Sequence, residues 1–503
     1  MNSFQKEESV EKGHNGQNGV ITHPSSLSVF FATEMWERYG FYVVQSLLAL
    51  YLALHFKWSD HRVYELVGSF TALTYLSPVL GGWIADHLLG QKRAILTGAV
   101  LLFLSYLVLT LLSSDQGLPA ALAGVAVGTG LLKPNISSLL GNEYPVGSPK
   151  RESGFTIFYM GLTTGIILGT TLPSILIDHF GWSFTFASAA VGAIISFIVF
   201  ALGSYHFKIA DYHPFEFELN KLAKAIAMLF LLWIVSFYIL NYPIFADSAF
   251  GLVVVLSLLY LFFTIKREDS LQGGQTAVIG LLCIISVMFW TFYFQMFLSL
   301  TLFISRVVEP TFLGINFPPP YYVSVQSIGM IIFGYLLSRS KVHLSLARSG
   351  MRTGNKFVLA MVFMTLAYCL IGLVSNFSSA NSLMSPWYFI PAYLFISIAE
   401  LLLSPVGLSA ITVLASRKRV STMMGIFFVS LGVGAFLSGK LAAITAINPT
   451  ALSIIEIKAH YAHAFTRLLA ILAASTLLCA VLNQCIRRLL QRHERETVVS
   501  ERL

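Results

Sequence analysis

Fourteen apolar segments dominate this chain and set what it can fold into. They fall near 26–55, 66–87, 93–113, 118–140, 154–177, 183–204, 223–241, 249–265, 277–305, 321–338, 356–375, 387–414, 421–446 and 462–486. A helix needs roughly 20 mainly apolar residues to cross the hydrocarbon of a bilayer. Only 11% of the 503 residues are charged, while 56% are hydrophobic; an ordinary soluble domain carries about 25% charge. A soluble globular enzyme, a disordered chain and a disulfide scaffold are excluded, which leaves an all-α polytopic membrane protein in contact with the lipid bilayer.

The formal net charge of +8 is topological information. The basic residues form short clusters between apolar runs, with no aromatic-interleaved basic stripe, so no nucleic-acid partner is expected. Loops after the even-numbered segments hold Lys92, Arg93, Lys150, Arg151, Lys208, Lys221, Lys266, Arg267, Arg339, Lys341, Arg348, Arg352, Arg417, Lys418 and Arg419. The opposite loops hold only Lys57, Arg62, Arg306 and Lys458. Lysine and arginine accumulate on the cytoplasmic side, so both termini are expected there. The polar stretch 1–25 lacks an apolar core and a cleavage site and is expected to be a disordered cytoplasmic tail. Cys283, Cys369, Cys479 and Cys485 lie in or beside apolar runs without ligand spacing, so no metal site is expected.

The organisation reads as six, two and six segments. An N-terminal bundle covers 26–205, a linker with two extra helices covers 206–275, a C-terminal bundle covers 276–487, and 488–503 form a second cytoplasmic tail. Two pseudo-symmetric halves with a midplane site between them suit a carrier.

Five charges lie deep in spans: Glu34, Glu37, Arg38, Lys133 and Glu400. Each costs roughly 2.5–3.5 kcal/mol at a helix centre on insertion scales. The bland explanation is pairing that only holds helices together, but intramembrane ionisable residues mark transport pathways more often. Glu34, Glu37 and Arg38 share a helix face at i, i+3 and i+4, and Tyr42 and Gln45 continue it. Lys133 precedes Pro134, and Glu400 shares a face with Ser404. Three carboxylates against two cations leave one excess negative charge, which one proton neutralises. No histidine sits in the middle of a span, so the usual near-neutral titrating side chain is missing from the pathway and the glutamates are left to carry the proton.

These residues carry a resemblance. Glu34-Met-Trp-Glu37-Arg38-Tyr39-Gly-Phe41-Tyr42 resembles the ExxER motif of proton-dependent oligopeptide transporters in the major facilitator superfamily. The stretches Ser69 to Pro78, Gly81 to Arg93, Gly128 to Asn135, Phe155 to Gly161, Phe289-Trp290 with Gln295, and Glu400 to Gly407 look like successive motifs of the same family. The ordered set spans about 26–486, and the two central helices look like the bacterial branch. The resemblance implies a major facilitator fold of two six-helix bundles plus two inserted helices. It implies a proton-coupled symporter importing di- and tripeptides by alternating access in a bacterial inner membrane. That protein would act as a monomer, with a proton gradient as energy source and no cofactor. It assigns proton coupling to Glu34, Glu37, Arg38, Lys133 and Glu400. Pocket positions would be Tyr42, Gln45, Tyr75, Lys133, Tyr159, Thr163, Trp290, Phe294, Gln326, Glu400, Ser404 and Phe427. Asp86 and Arg93 would act in gating on the cytoplasmic side.

The departures fall in the pocket. Gln45 stands where many members have a second arginine, and Phe294 where they have its carboxylate partner. Thr163 replaces an asparagine, Gln326 another, and Phe427 a tryptophan. A second reading therefore stays open: the same carrier with an amino acid, modified peptide or siderophore-like metabolite as substrate, possibly exported. A receptor or membrane enzyme is a third class. No nucleophile–base pair or metal-ligand spacing appears in the spans, so the chain is not read as an enzyme.

Overall fold

The computed structural model describes residues 23–112, 114–144, 150–211, 218–339, 349–377, 382–416, 419–448 and 452–500. The expected N-terminal tail therefore lies almost wholly outside the described residues, as do Lys341, Arg348, Arg417 and Lys418.

The helices in chain order are α1 (Leu27–Leu50), α2 (Asp60–Ile84), α3 (Gln91–Leu111), α4 (Leu118–Asn142), α5 (Arg151–His206), α6 (Leu219–Asn241) and α7 (Pro243–Arg267). They continue with α8 (Ser270–Tyr293), α9 (Ser299–Val307), α10 (Pro319–Arg339), α11 (Ser349–Phe377), α12 (Ile390–Leu414), α13 (Val420–Ala442) and α14 (Ile454–Ser500). A helix satisfies its own backbone groups, which is what an apolar segment in lipid requires. Local signals set several starts. Asp269 accepts a hydrogen bond from the Gln272 amide at the head of α8, and proline opens α4, α7 and α12.

Two elements differ from the simple span count. Segments 154–177 and 183–204 join in one 56-residue run, α5, whose backbone leaves the helical region at Gly181 (φ 79°, ψ −177°). Segment 277–305 is broken: a 3₁₀ turn at Phe294–Phe297 and a non-helical Leu298 separate α8 from α9. Gln295 satisfies the break. Its Nε2 donates to Ser438 O at 2.9 Å and Oγ at 3.1 Å, and its Oε1 accepts from Ser299 Oγ at 2.5 Å. With α5 counted as two spans and α8–α9 as one, the described residues hold fourteen crossings. The helix of α14 continues through much of the stretch expected as a C-terminal tail.

In the first bundle α1 lies along α5, α3 packs on α4 and α5, and α2 packs on α4. In the second, α11 packs on α12 and α14, α10 on α12, and α8 on α13 and α14. These are the two six-helix bundles expected from the sequence. The inserted α6 lies on α4 and α7 on α8. Only 17% of the apolar window of each inserted helix is buried, against 61% for 272–307, so the insert faces lipid while the broken helix is central.

The bundles meet through α2 against α13 and α5 against α10. Lipid offers little hydrophobic drive, so close contact needs small residues. Gly68 and Gly439 supply it: a Cβ on Gly439 would stand 2.5 Å from Tyr64 O and 3.2 Å from Gly68 Cα. This seam lies toward the face opposite the chain termini.

Candidate functional site

The first cluster lies in α1. Glu34 and Glu37 are each 1% exposed and Arg38 3%. Arg38 Nε donates to Glu37 Oε2 and lies 3.4 Å from Glu34 Oε1. One guanidinium is thus shared by two carboxylates. Gly165 of α5 lets the helices close here, since a Cβ there would stand 2.8 Å from Arg38 Cβ. Pairing is incomplete: Glu34 Oε2, Glu37 Oε1 and Arg38 Nη2 are buried without a partner among the described residues. The Phe41 ring covers the guanidinium at 5.0 Å.

Lys133 of α4 forms no ion pair among the described residues; its ammonium stands 4.9 Å from the Tyr75 ring centre. It is within electrostatic reach of Glu34, Glu37 and Arg38. Tyr159 of α5 is 55% exposed and within electrostatic reach of Glu34. Thr163, one turn on, donates its hydroxyl to Tyr159 O at 3.0 Å.

The second bundle contributes Glu400. Its Oε2 accepts from Tyr293 hydroxyl at 2.8 Å and from Gln326 Nε2 at 2.6 Å. Ser404 is half-buried and its hydroxyl makes no hydrogen bond among the described residues. Tyr42 and Tyr75 lie within reach of Glu400, so the two charged groups share one chamber between the bundles. Aromatic rings close it on the far side. Phe294 packs between Tyr75 and Trp290 at 5.4 Å from each, and Tyr42 meets Phe297 at 6.3 Å. The Trp290 indole N–H is buried without a partner among the described residues.

Two expected pocket positions are covered by neighbouring helices in this structure. Gln45 is buried between α1 and α2, where its Nε2 donates to Thr71 Oγ1 at 3.0 Å. Phe427 is buried against Gly407 of α12. Both are packing residues in this structure, because a neighbouring helix covers the face they occupy. Phe294 is a plug of stacked rings and is 2% exposed. Asp86 and Arg93 are both exposed near the termini face.

The far face holds a second buried ionic node. Arg306 Nη2 donates to Asp60 Oδ1 at 2.7 Å, and its Nη1 to Asp60 Oδ2 at 2.8 Å and Tyr461 hydroxyl at 2.7 Å. The Ile447 amide also donates to Asp60 Oδ2, at 3.0 Å. Asp60 is 1% exposed. Beside it Thr445 donates to the Tyr64 hydroxyl at 3.2 Å. Lys440 meets Glu65 at 3.3 Å and Asp247 of α7 at 2.8 Å. Sequence reasoning counted Arg306 only as a loop charge and passed over Asp60 and Tyr293. The scarcity of basic residues on that face was the available signal for Arg306. For Tyr293 it was the i+3 spacing from Trp290.

Two helix bundles around a chamber with intramembrane carboxylates, sealed on one face, define a membrane carrier. The POT family model matches residues 92–458, and the chain belongs to that family. Dipeptide and tripeptide permease B of Edwardsiella piscicida is 30% identical over 86% of this chain and 89% of its own length. A solved structure from work on substrate recognition in proton dependent oligopeptide transporters superposes with a TM-score of 0.79. It shows 27% identity over 92% of this chain and 99% of its own. A solved bacterial homologue of the human drug peptide transporters PepT1 and PepT2 gives 0.81 at 26% identity, covering 94% and 100%.

Proposed function

We propose that this protein is a proton-coupled symporter that imports di- and tripeptides by alternating access. The observation that carries the reading is the shared chamber. An α1 cluster with more carboxylates than cations faces it from one bundle, and Glu400 faces it from the other. Protonation of Glu34 or Glu37 balances the Arg38 charge and frees the second carboxylate from competition for it. The proton-coupling set is Glu34, Glu37, Arg38 and Lys133, with Glu400 linking it to substrate.

A zwitterionic peptide fits between Lys133, which takes its carboxylate, and Glu400, which takes its ammonium. Opposite charges offset part of the desolvation of both ends. Tyr42, Tyr75, Tyr159, Thr163, Trp290, Gln326 and Ser404 line or support this chamber, and Phe294 roofs it. Asp86 and Arg93 act in gating at the termini face when the chamber closes there. The basic loops orient that face to the cytoplasm; on this reading the chamber opens inward and the Asp60–Arg306 node closes the outside. The protein works as a monomer in a bacterial inner membrane. A proton moving down 100 mV supplies about 2.3 kcal/mol.

The test is gradient-driven uptake of a labelled dipeptide into proteoliposomes, competed with tripeptides and single amino acids. Uptake that requires the gradient and is displaced by di- and tripeptides is the expected result. Displacement by single amino acids alone would move the substrate class to the second reading.

A further inference from the structure

The inserted helix α7 ends beside a basic cavity outside the chamber. Near its start, Asp247 meets Lys440 at the sealed face at 2.8 Å. Arg267, at its end, stands 20 residues further on, a rise of about 30 Å. That is one hydrocarbon thickness, so the end of α7 sits at headgroup level on the opposite side of the bilayer. Tyr260, Phe263, Thr264 and Arg267 recur at i, i+3, i+4 and i+7 and form one stripe of the helix. With Arg419, the residue before α13, they line a cavity of about 340 Å³. One water takes about 30 Å³, so the space suits a polyatomic group.

Charge narrows the occupant. Arg267 is exposed and makes no hydrogen bond or ion pair among the described residues. Arg419 donates through Nη1 alone, to Glu268 Oε1 at 3.0 Å. The other Glu268 oxygen is engaged too, accepting from the Thr276 hydroxyl at 2.6 Å. Two guanidinium groups against one carboxylate leave one positive charge, the complement of one phosphodiester. The planar guanidinium fork matches two phosphate oxygens.

The apolar side narrows it further. Tyr260, Phe262 and Phe263 are 37%, 50% and 53% exposed, on a helix whose apolar window is only 17% buried. Acyl chains attached to a phosphate held here run down this face without leaving the bilayer. Tyrosine is common at headgroup level, and basic pockets there suit anionic lipid headgroups. A zwitterionic lipid brings its own cation and leaves the surplus positive charge unmatched.

We propose that this cavity binds an anionic phospholipid, with Arg267 and Arg419 on its phosphodiester and its chains against Tyr260 and Phe263. The bound lipid joins the inserted pair of helices to the head of α13, which also packs on α2. The inference requires a membrane-spanning chain and is independent of the transported substrate.

The experiment places the full-length protein in phosphatidylcholine nanodiscs with a trace of phosphatidylglycerol that carries a diazirine in its acyl chain. Irradiation and peptide mapping by mass spectrometry locate the label. The Tyr260–Arg267 stripe is labelled, and replacing part of the phosphatidylcholine by unlabelled phosphatidylglycerol removes most of that label. Glycerol phosphate added in water leaves it in place. The double variant Arg267→Lys with Arg419→Lys keeps the charge and loses both forks, and labelling falls about ten-fold. Arg267→Lys alone leaves the Glu268–Arg419 pair intact and lowers labelling about three-fold. An unlabelled stripe overturns the proposal. So does undiminished labelling in both variants, which marks attraction by charge alone. Displacement by glycerol phosphate overturns it in favour of a soluble phosphate ligand.

Discussion

Two ionic nodes lie buried in this molecule, and they are built differently. At the sealed face, both Asp60 carboxylate oxygens are paired with Arg306, and Tyr461 and the Ile447 amide complete the set. In α1, Arg38 is divided between Glu34 and Glu37, and one polar atom on each of the three side chains is left without a described partner. Burying a charge pair is favourable only when the remaining donors and acceptors are also satisfied. The first node meets that condition and suits a latch that holds one state. The second leaves buried polar atoms of both carboxylates and of the guanidinium without a described partner, with Lys133 near but not ion-paired, which suits a site that changes its protonation.

The largest expected effect breaks the under-paired node. Glu34→Gln or Glu37→Gln reduces gradient-driven dipeptide accumulation to background, measured as labelled peptide retained in proteoliposomes. Preserved pH-driven accumulation in both variants would remove the contrast between the nodes.

Breaking the fully paired node acts on conformation. Arg306→Ala strands Asp60, and loss of one partner of a buried pair costs about 3–5 kcal/mol. Spin-label distances across the sealed face lengthen in this variant, and the exchanged pair Asp60→Arg with Arg306→Asp restores part of the closed population. Unchanged distances would mean that the pair is incidental to closure.

A steric break of the same seam has a smaller effect. Gly439→Ala forces its Cβ toward Tyr64 O, and overpacking costs about 1–3 kcal/mol. The expected distance change has the same sign as for Arg306→Ala. The smallest effect belongs to Lys440→Ala. Lys440, Glu65 and Asp247 are 36%, 37% and 52% exposed, and exposed pairs contribute about 0–1 kcal/mol. Raised salt should mimic this variant and leave the Asp60–Arg306 node largely intact.

The spans and the α1 cluster were legible in the sequence for one reason. Apolar length and the cost of a charge at mid-membrane are properties of a segment by itself. The break between α8 and α9 was not legible, because Phe294 to Leu298 contain neither proline nor glycine. The break is satisfied by Ser438, 143 residues from Gln295. Asp60 and Arg306 stayed hidden for a related reason. Each sits at a span end, where a charge costs little, and the pairing joins residues 246 positions apart. Gln45 lies on the same stripe as Glu34 by spacing and is a pocket position by resemblance, and here its amide donates to Thr71 of α2, a contact that no spacing within α1 announces. Phe294 was found as a departure from the family pattern, but its place between Tyr75 and Trp290 depends on the meeting of two bundles.

Proton movement measured together with peptide movement tests the central claim most directly. In proteoliposomes loaded with a pH-sensitive dye, external dipeptide should acidify the lumen for the parent protein. The Glu37→Gln variant should exchange labelled for unlabelled dipeptide without acidification. Peptide uptake by the parent protein with no accompanying proton, or equal acidification by the variant, would contradict the account.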